Sequence, residues 1–281
     1  MKEVVTVGFG KLGCIASSPL IEYLLDERAD RDDLVVRVVS SGAKMGEKDA
    51  EDVAKALIEF KPDLAVAVSP NAGLPGPRRL RSLLKDANIP TIIVSDAPSR
   101  RIVKELDEGG YGYIIVLGDS MIGARREFLD PVEMAIYNAD LIKILSATGA
   151  FRVIQIELDR VIEYLKKGEE LKLPKIVVDR KVAVEAGQFT NPYAKAKAIA
   201  AYEAAAKVAD LTVEGCFKIE DWVEYTSIVA AAHELMSYAA KQASEAREIE
   251  KGLDTVYRSP HNRKGEILSK RKLIEKPSKP G

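Results

Sequence analysis

The residues whose types and spacing could do chemistry fall in four short stretches. Gly8-Phe9-Gly10-Lys11-Leu12-Gly13 follows a β-branched run and matches the pattern GxGxxG. Its amides could cradle a phosphate at the N-terminus of the next helix, although a glycine-rich turn without a ligand uses the same residues. Ser69-Pro70-Asn71-Ala72-Gly73-Leu74-Pro75-Gly76-Pro77 carries three prolines and two glycines. Such a loop is stiff and shaped, and it either holds a flat ligand or sets the path of the chain. Ser95-Asp96-Ala97-Pro98 places a carboxylate at the end of another apolar run, where an Asp serves as ligand or helix cap. The densely polar stretch from Asp119 to Met134 holds the pair Arg125-Arg126, able to clamp a carboxylate or phosphate or to form subunit salt bridges. It also holds Asp130-Pro131 with Glu133, which reads as N-cap, first helical residue and N3. Of two histidines, His233 lies within a helical pattern and His261 in Ser259-Pro260-His261-Asn262. No HExxH or CxxC accompanies them, so no metal site is expected. Cys14 and Cys216 are too few and too far apart for a disulfide framework. Without a paired base, Cys14 reads as a small packed residue.

These stretches are spaced by an alternating pattern. Short apolar runs at 4–9, 34–42, 63–71, 91–98 and 111–119 predict five strands, with helical periodicity at 18–30, 49–60, 78–87 and 101–110. Such alternation predicts a parallel sheet covered by helices on both faces. Ligands of these folds sit beyond the carboxyl ends of the strands, where all four stretches fall. After Asp119 the pattern turns helical at 131–166, 191–210 and 221–251, with a short strand at 175–179. The expected fold is α/β: a Rossmann-like parallel sheet, then a helical-bundle segment, then a small C-terminal β-sheet. The expected units are a ligand-binding domain at 1–120, a helical segment with one short strand at 121–254 and a small basic β segment at 255–281. The second strand ends in Ser40 and Ser41, where an NAD site needs an acidic partner for the ribose. That counts against NAD and less clearly against NADP.

Composition narrows the classes. The 281 residues carry 42 basic and 43 acidic side chains, a net charge of -1, which excludes a globally basic nucleic-acid binder. No apolar run approaches the ~20 residues that cross a bilayer. The expectation is a soluble cytoplasmic protein with no nucleic-acid or membrane partner.

Longer segments carry more than generic chemistry: LLDERADR (24–31), SSGAKMG (40–46), PGP (75–77), SDAP (95–98) and above all MIGARREFLDPVEMAIYNAD (121–140). They continue through NPYAKAKAIAA (191–201), VADLTVEGCF (208–217), IVAAAHE (228–234), EAREIEK (245–251) and SPHNRKGEILSKRKLIEKP (259–277). Together they resemble the coenzyme F420-dependent methylenetetrahydromethanopterin dehydrogenase family of archaeal one-carbon metabolism and methanogenesis. The resemblance implies a homohexamer, a trimer of dimers. It implies a cleft between the α/β and helical parts where the deazaflavin of coenzyme F420 meets the pterin. F420 acts there as a dissociable cosubstrate, without metal or flavin. A hydride passes from the methylene carbon of the tetrahydromethanopterin derivative to the deazaflavin, leaving a methenyl cation stabilised by its own amidinium resonance. The cofactor carries the hard chemistry, and the protein orients it and supplies electrostatics. Candidates for a carboxylate beside the cation are Asp96, Asp130 and Glu133. The coenzyme-binding candidates are Gly8, Gly10, Lys11, Leu12, Gly13, Ser69, Pro70, Asn71, Ser95, Ala97 and Pro98. Those for the substrate are Arg125, Arg126 and His233. The loops Gly8–Gly13, Ser69–Pro77 and Ser95–Arg101 depart from the family pattern, the last by adding Arg100 and Arg101. The departures leave open a divergent paralogue using NADP or another tetrahydropterin, or a non-catalytic ligand-binding paralogue.

Overall fold

The structure is a computed structural model and describes residues 2–280. Its frame is one sheet of six parallel strands: β1 (Val5–Lys11), β2 (Leu34–Ser40), β3 (Leu64–Ser69), β4 (Thr91–Asp96), β5 (Gly112–Val116) and β6 (Lys175–Val178). The spatial order is β2-β1-β3-β4-β5-β6, so the chain reverses its direction of progress between β1 and β3. The strands alternate strictly between two cores. Leu64, Val66 and Val68 of β3 face one core, while Ala65 and Ala67 face the other.

On the second face lie α2 (Glu47–Phe60), α3 (Pro75–Asp86) and α4 (Val103–Glu108). Small residues let α2 approach closely. Gly8 and Gly10 lie inside β1 rather than in a loop, and a Cβ on Gly10 would stand 2.9 Å from Leu57 Cδ1. The first face carries α1 (Ser17–Leu25), α5 (Pro131–Thr148), α6 (Ala150–Lys167), α7 (Arg180–Ala186), α8 (Pro192–Phe217) and α9 (Trp222–Gly252). α8 and α9 pair along buried alanines, among them Ala194, Ala198, Ala201, Ala239 and Ala243, whose small side chains allow close packing.

Three sequence expectations change. The helical stretch at 131–166 is two helices, because Gly149 takes φ 102° between them, and a Cβ there would stand 2.1 Å from the Ala183 carbonyl oxygen. The short strand of the helical segment is the sixth strand of the main sheet, paired with β5, so sheet and helices share one core. The helix expected at 18–30 stops at Leu25. The residues after it bind α6 and the C-terminal segment instead: Asp33 pairs with Arg31 and Lys166, and Glu27 with His261.

The C-terminal segment forms three isolated antiparallel bridges, Arg258 with Lys270, His261 with Ile267 and Ser269 with Ser278. It is fastened by His261, which is fully buried. Glu27 Oε1 lies 2.8 Å from its Nδ1 and Asp159 Oδ2 lies 2.9 Å from its Nε2.

Candidate functional site

The carboxyl ends of β4 and β5 each carry a buried aspartate. Asp119 follows β5 and is fully shielded from solvent. It accepts the backbone N–H groups of Ala16 (2.9 Å) and Ser17 (2.7 Å) at the start of α1. An unpaired helix N-terminus attracts anions, and here that place is taken by a side chain of the protein itself. The Ala16 and Ser17 amides that a phosphate at Gly8–Gly13 would share are therefore occupied. Gly8, Gly10 and Leu12 are buried packing residues, and Gly13 is buried against Met45 and Pro70. Lys11 is half-buried at the end of β1, its carbonyl accepting the Ser41 N–H.

Asp96 ends β4 and is 1% exposed. It accepts the N–H of Ala97, opening a 3₁₀ turn over 97–102, and the N–H of Met121 at 3.3 Å. Burial, followed by the neighbouring Asp119 charge, holds its carboxyl well above the usual carboxylate range. Burial also raises Asp119, against the hydrogen bonds it receives at Ser17 and Ala16.

The loop from Leu117 to Asp130 lies across these strand ends. Tyr137 of α5 donates to the Ser120 carbonyl (2.9 Å), Ser120 Oγ to the Ala205 carbonyl (2.6 Å). The Tyr137 ring packs on His233 of α9, with centroids 4.7 Å apart, and Phe128 meets His233 edge-on at the same separation. Glu133, one turn before Tyr137, brings Oε2 to 3.5 Å from His233 Nδ1 and leaves 39% of its side chain exposed. His233 is 8% exposed, and its buried Nε2 has no hydrogen-bond partner. Burial lowers the imidazole's pKa against the pull of Glu133, which favours the neutral ring.

The remaining candidates divide sharply. Asp130 is the N-cap of α5, accepting the Glu133 N–H at 2.7 Å, as its sequence context requires. Arg125 turns away from any clamp: it donates to the carbonyls of Gly215 (3.0 Å) and Ile219 (3.2 Å) and stacks 4.1 Å above Tyr225. It thus holds the end of α8, while Arg126 is exposed. Ser69 and Ser95 are buried; Ser95 Oγ donates to the Ser69 carbonyl at 2.6 Å and lies 2.7 Å from Ser99 Oγ. With the Ala72 N–H donating to Ser99 Oγ at 2.8 Å, this joins the loops after β3 and β4. Pro70 is buried, and Asn71 closes its own turn by accepting the Gly73 N–H at 2.9 Å. Pro75 to Pro77, expected in a loop, form the first turn of α3. Ala97 is half-buried, and Pro98, Arg100 and Arg101 are exposed on the 3₁₀ turn.

The structure thus brings together Asp96, Glu133 and His233 around the 117–130 loop, with Asp119, Phe128 and Tyr137, to which the sequence assigned no role. Asp119 carries the signal that exposed Asp96, an acid at a strand end. Tyr137 carries a weaker one, four residues after Glu133 on the same helix face. This cluster offers a carboxylate at the surface, a buried neutral imidazole behind it and aromatic walls.

The profile of methylene-5,6,7,8-tetrahydromethanopterin dehydrogenase matches residues 5–278. The F420-dependent methylenetetrahydromethanopterin dehydrogenase of Archaeoglobus fulgidus is 56% identical over 274 residues, 98% of this chain and 99% of that protein. That of Methanothermobacter marburgensis is 53% identical over 274 residues with the same coverage. A solved structure of an F420-dependent methylene-tetrahydromethanopterin dehydrogenase, in complex with methylene-tetrahydromethanopterin and coenzyme F420, superposes with a TM-score of 0.95. It is 48% identical and covers 98% of this chain and 100% of its own. On profile, identity and fold alike, the chain belongs to the methylenetetrahydromethanopterin dehydrogenase family.

Proposed function

We propose that this protein catalyses reversible hydride transfer from methylene-tetrahydromethanopterin to coenzyme F420, giving the methenyl compound and reduced F420. Coenzyme F420, when bound, supplies the hydride acceptor as a dissociable cosubstrate. What the chain's residues must do follows from the charge change. Hydride loss leaves a cation between two nitrogens of the pterin, so no base is needed to remove a proton from carbon. A fixed negative charge beside that carbon stabilises the transition state more than the ground state.

The observation that carries the site assignment is Glu133. Its carboxylate is half-exposed at the mouth of the cluster and backed by His233, whose Nε2 is buried without a partner. An orphaned buried nitrogen is costly, and a bound polar ring offers it one. In this reading Glu133 faces the forming cation, and His233 Nε2 contacts the pterin. Asp96 and Asp119 fix the loop backbone. Arg126, with Lys11 at the end of β1, draws in the acidic tails of both ligands. NADP is a poorer fit: the α1 N-terminus is already taken by Asp119, and β2 ends in Ser40 and Ser41.

The homohexamer goes with this reading. β2 is an edge strand with Val35 47% and Val38 42% exposed, a surface a second subunit could cover. Among the described residues no helix is long and apolar enough to cross a membrane, and a cytoplasmic location is proposed with the activity. The test is to mix protein with methylene-tetrahydromethanopterin and oxidised F420 without air and follow the deazaflavin absorbance. Rapid bleaching is expected. An unchanged spectrum, with NADP reduced instead, would transfer the assignment to the nicotinamide reading.

A further inference from the structure

On the side of the molecule where α6 begins and α9 ends, the C-terminal segment gathers arginines that no acid neutralises. The Arg152 guanidinium lies 4.4 Å from the Tyr257 ring centroid and that of Arg271 lies 5.2 Å from the same ring. Arg152 donates to Ser259 Oγ (2.5 Å) and the Tyr257 carbonyl (3.1 Å), both neutral acceptors. Arg271 donates to the carbonyls of Gln188 (3.2 Å) and Thr255 (3.0 Å), and Arg258 to those of Val256 (3.1 Å) and Arg271 (2.9 Å). Arg247 completes the group from α9, lining a small cleft with Arg152, Gln188 and Tyr257. A second cleft adjoins it, lined also by Arg258 and Lys270.

Other shielded cations have acids, whereas half-buried Arg125 is held singly by carbonyls and Tyr225. Arg31 and Lys166 pair with Asp33, and Arg81 pairs with Glu105. Among the described residues none of the four arginines forms an ion pair. The acids facing the clefts are Glu250 and Glu27, and both are engaged. Glu250 accepts from Thr190 N–H and Oγ1, Asn191 N–H and Thr255 Oγ1, all within 2.8 Å. Glu27 is held by His261. Burial and the Arg247 and Arg271 charges push the pKa of Arg152 down. Guanidiniums crowded without a counter-charge repel one another, and an oxyanion that accepts their forked N–H donors removes the repulsion.

We propose that Arg152 and Arg247, which line both clefts, form a binding site for a tetrahedral oxyanion of the phosphate type. The site stands apart from the Glu133–His233 cluster: Arg247 is fourteen residues beyond His233 on α9, or ~21 Å at ~1.5 Å per residue. A ring system bound at that cluster does not reach it, and the proposed ligand is a free anion, a point that displacement by the tailed coenzyme would refute.

The test titrates inorganic phosphate into the full-length protein by calorimetry, with chloride keeping the ionic strength fixed. One saturable site per chain is expected, with a melting temperature that climbs with phosphate. Arg247→Gln, on an exposed position, should weaken binding at least about tenfold and leave the melting temperature without phosphate unchanged. Arg180→Gln, an exposed arginine elsewhere, should bind as the parent does. No saturable heat, or equal affinity in Arg247→Gln, overturns the proposal. Displacement of phosphate by coenzyme F420 also overturns it, since the pocket would then serve the coenzyme's tail. Binding is read without turnover, so the outcome is independent of the hydride-transfer assignment.

Discussion

Replacing His261 with Gln should destabilise the protein by an amount that depends on pH in a calculable way. The imidazole is fully buried between Glu27 and Asp159, and their hydrogen bonds and charges raise its pKa from 6.5 to about 9 against the opposing effect of burial. A group that binds its proton more tightly when folded stabilises the fold wherever the unfolded chain is also protonated. At ~1.4 kcal/mol per pH unit, the rise corresponds to about 3 kcal/mol. The contribution is complete below pH 6.5, falls as pH rises and is gone above about 9. Gln keeps the side chain polar but carries no charge. Denaturant unfolding of parent and variant at several pH values gives the stability gap at each. The gap should be about 3 kcal/mol near pH 6 and should close as pH passes about 9. Taking the difference cancels the titrating groups that do not touch His261, while Glu27 and Asp159, which are coupled to it, remain part of the gap. A gap of the same size at all pH values would refute the imidazolium and leave only packing and neutral hydrogen bonds.

Other outcomes follow from the same contacts. Gly10→Ala puts a methyl against Leu57 and should cost ~1–3 kcal/mol by overpacking, read as a lower melting temperature, with the KM for F420 unchanged in the folded fraction. Arg125→Ala removes the hold on the end of α8 and should cost ~1–3 kcal/mol with little effect on KM. Arg126→Ala should do the reverse, raising a KM several-fold at unchanged melting temperature. Glu133→Gln should lower kcat on the order of 10- to 100-fold, less than a fully enclosed group would cost because the carboxylate is partly solvated. Asp96→Asn should lower the melting temperature, since its amide offers one acceptor where Ala97 and Met121 each use a carboxyl oxygen, and should keep kcat within about threefold in the folded fraction; a loss near 10³ would show that Asp96 works ionised.

The sheet was legible because its strands are apolar runs closed by turn residues, and Leu64–Ser69 and Thr91–Asp96 are buried at every position. The helices on each face followed from the same alternation. What the periodicity could not give was the sixth strand's place, since Lys175–Val178 joins β5 across two intervening helices and only the tertiary fold decides its neighbour. Gly149 was not legible as a break, because one glycine within helical periodicity is tolerated unless its φ is positive. At the site the capping role of Asp130 could be read from local spacing. The burial of Leu12, the turning away of Arg125 onto Tyr225 and the lone nitrogen of His233 could not, since each depends on a partner far along the chain.

The GxGxxG stretch opens on a helix whose first amides are already taken, and this bears on the carboxylates too. A glycine pattern promises an anion site only if the helix it opens has free amides, and Asp119, more than a hundred residues away, takes those of Ala16 and Ser17. Asp119 thereby does two things. It anchors the first loop, and it places a charge close enough to Asp96 to oppose ionisation there. Groups whose environments drive their protonation apart are those that divide the labour of a site. Asp96, buried and pushed toward the acid form, suits a backbone anchor and is ill suited to face a cation. Asp130 is solvated and spent on a helix cap. Glu133 alone of the three is accessible, uncommitted to backbone and backed by an uncharged imidazole that cannot cancel its charge. The burial that counts against Asp96 and the exposure that favours Glu133 follow from one arrangement: the 117–130 loop lies over the end of β4, and α5 begins at its far edge.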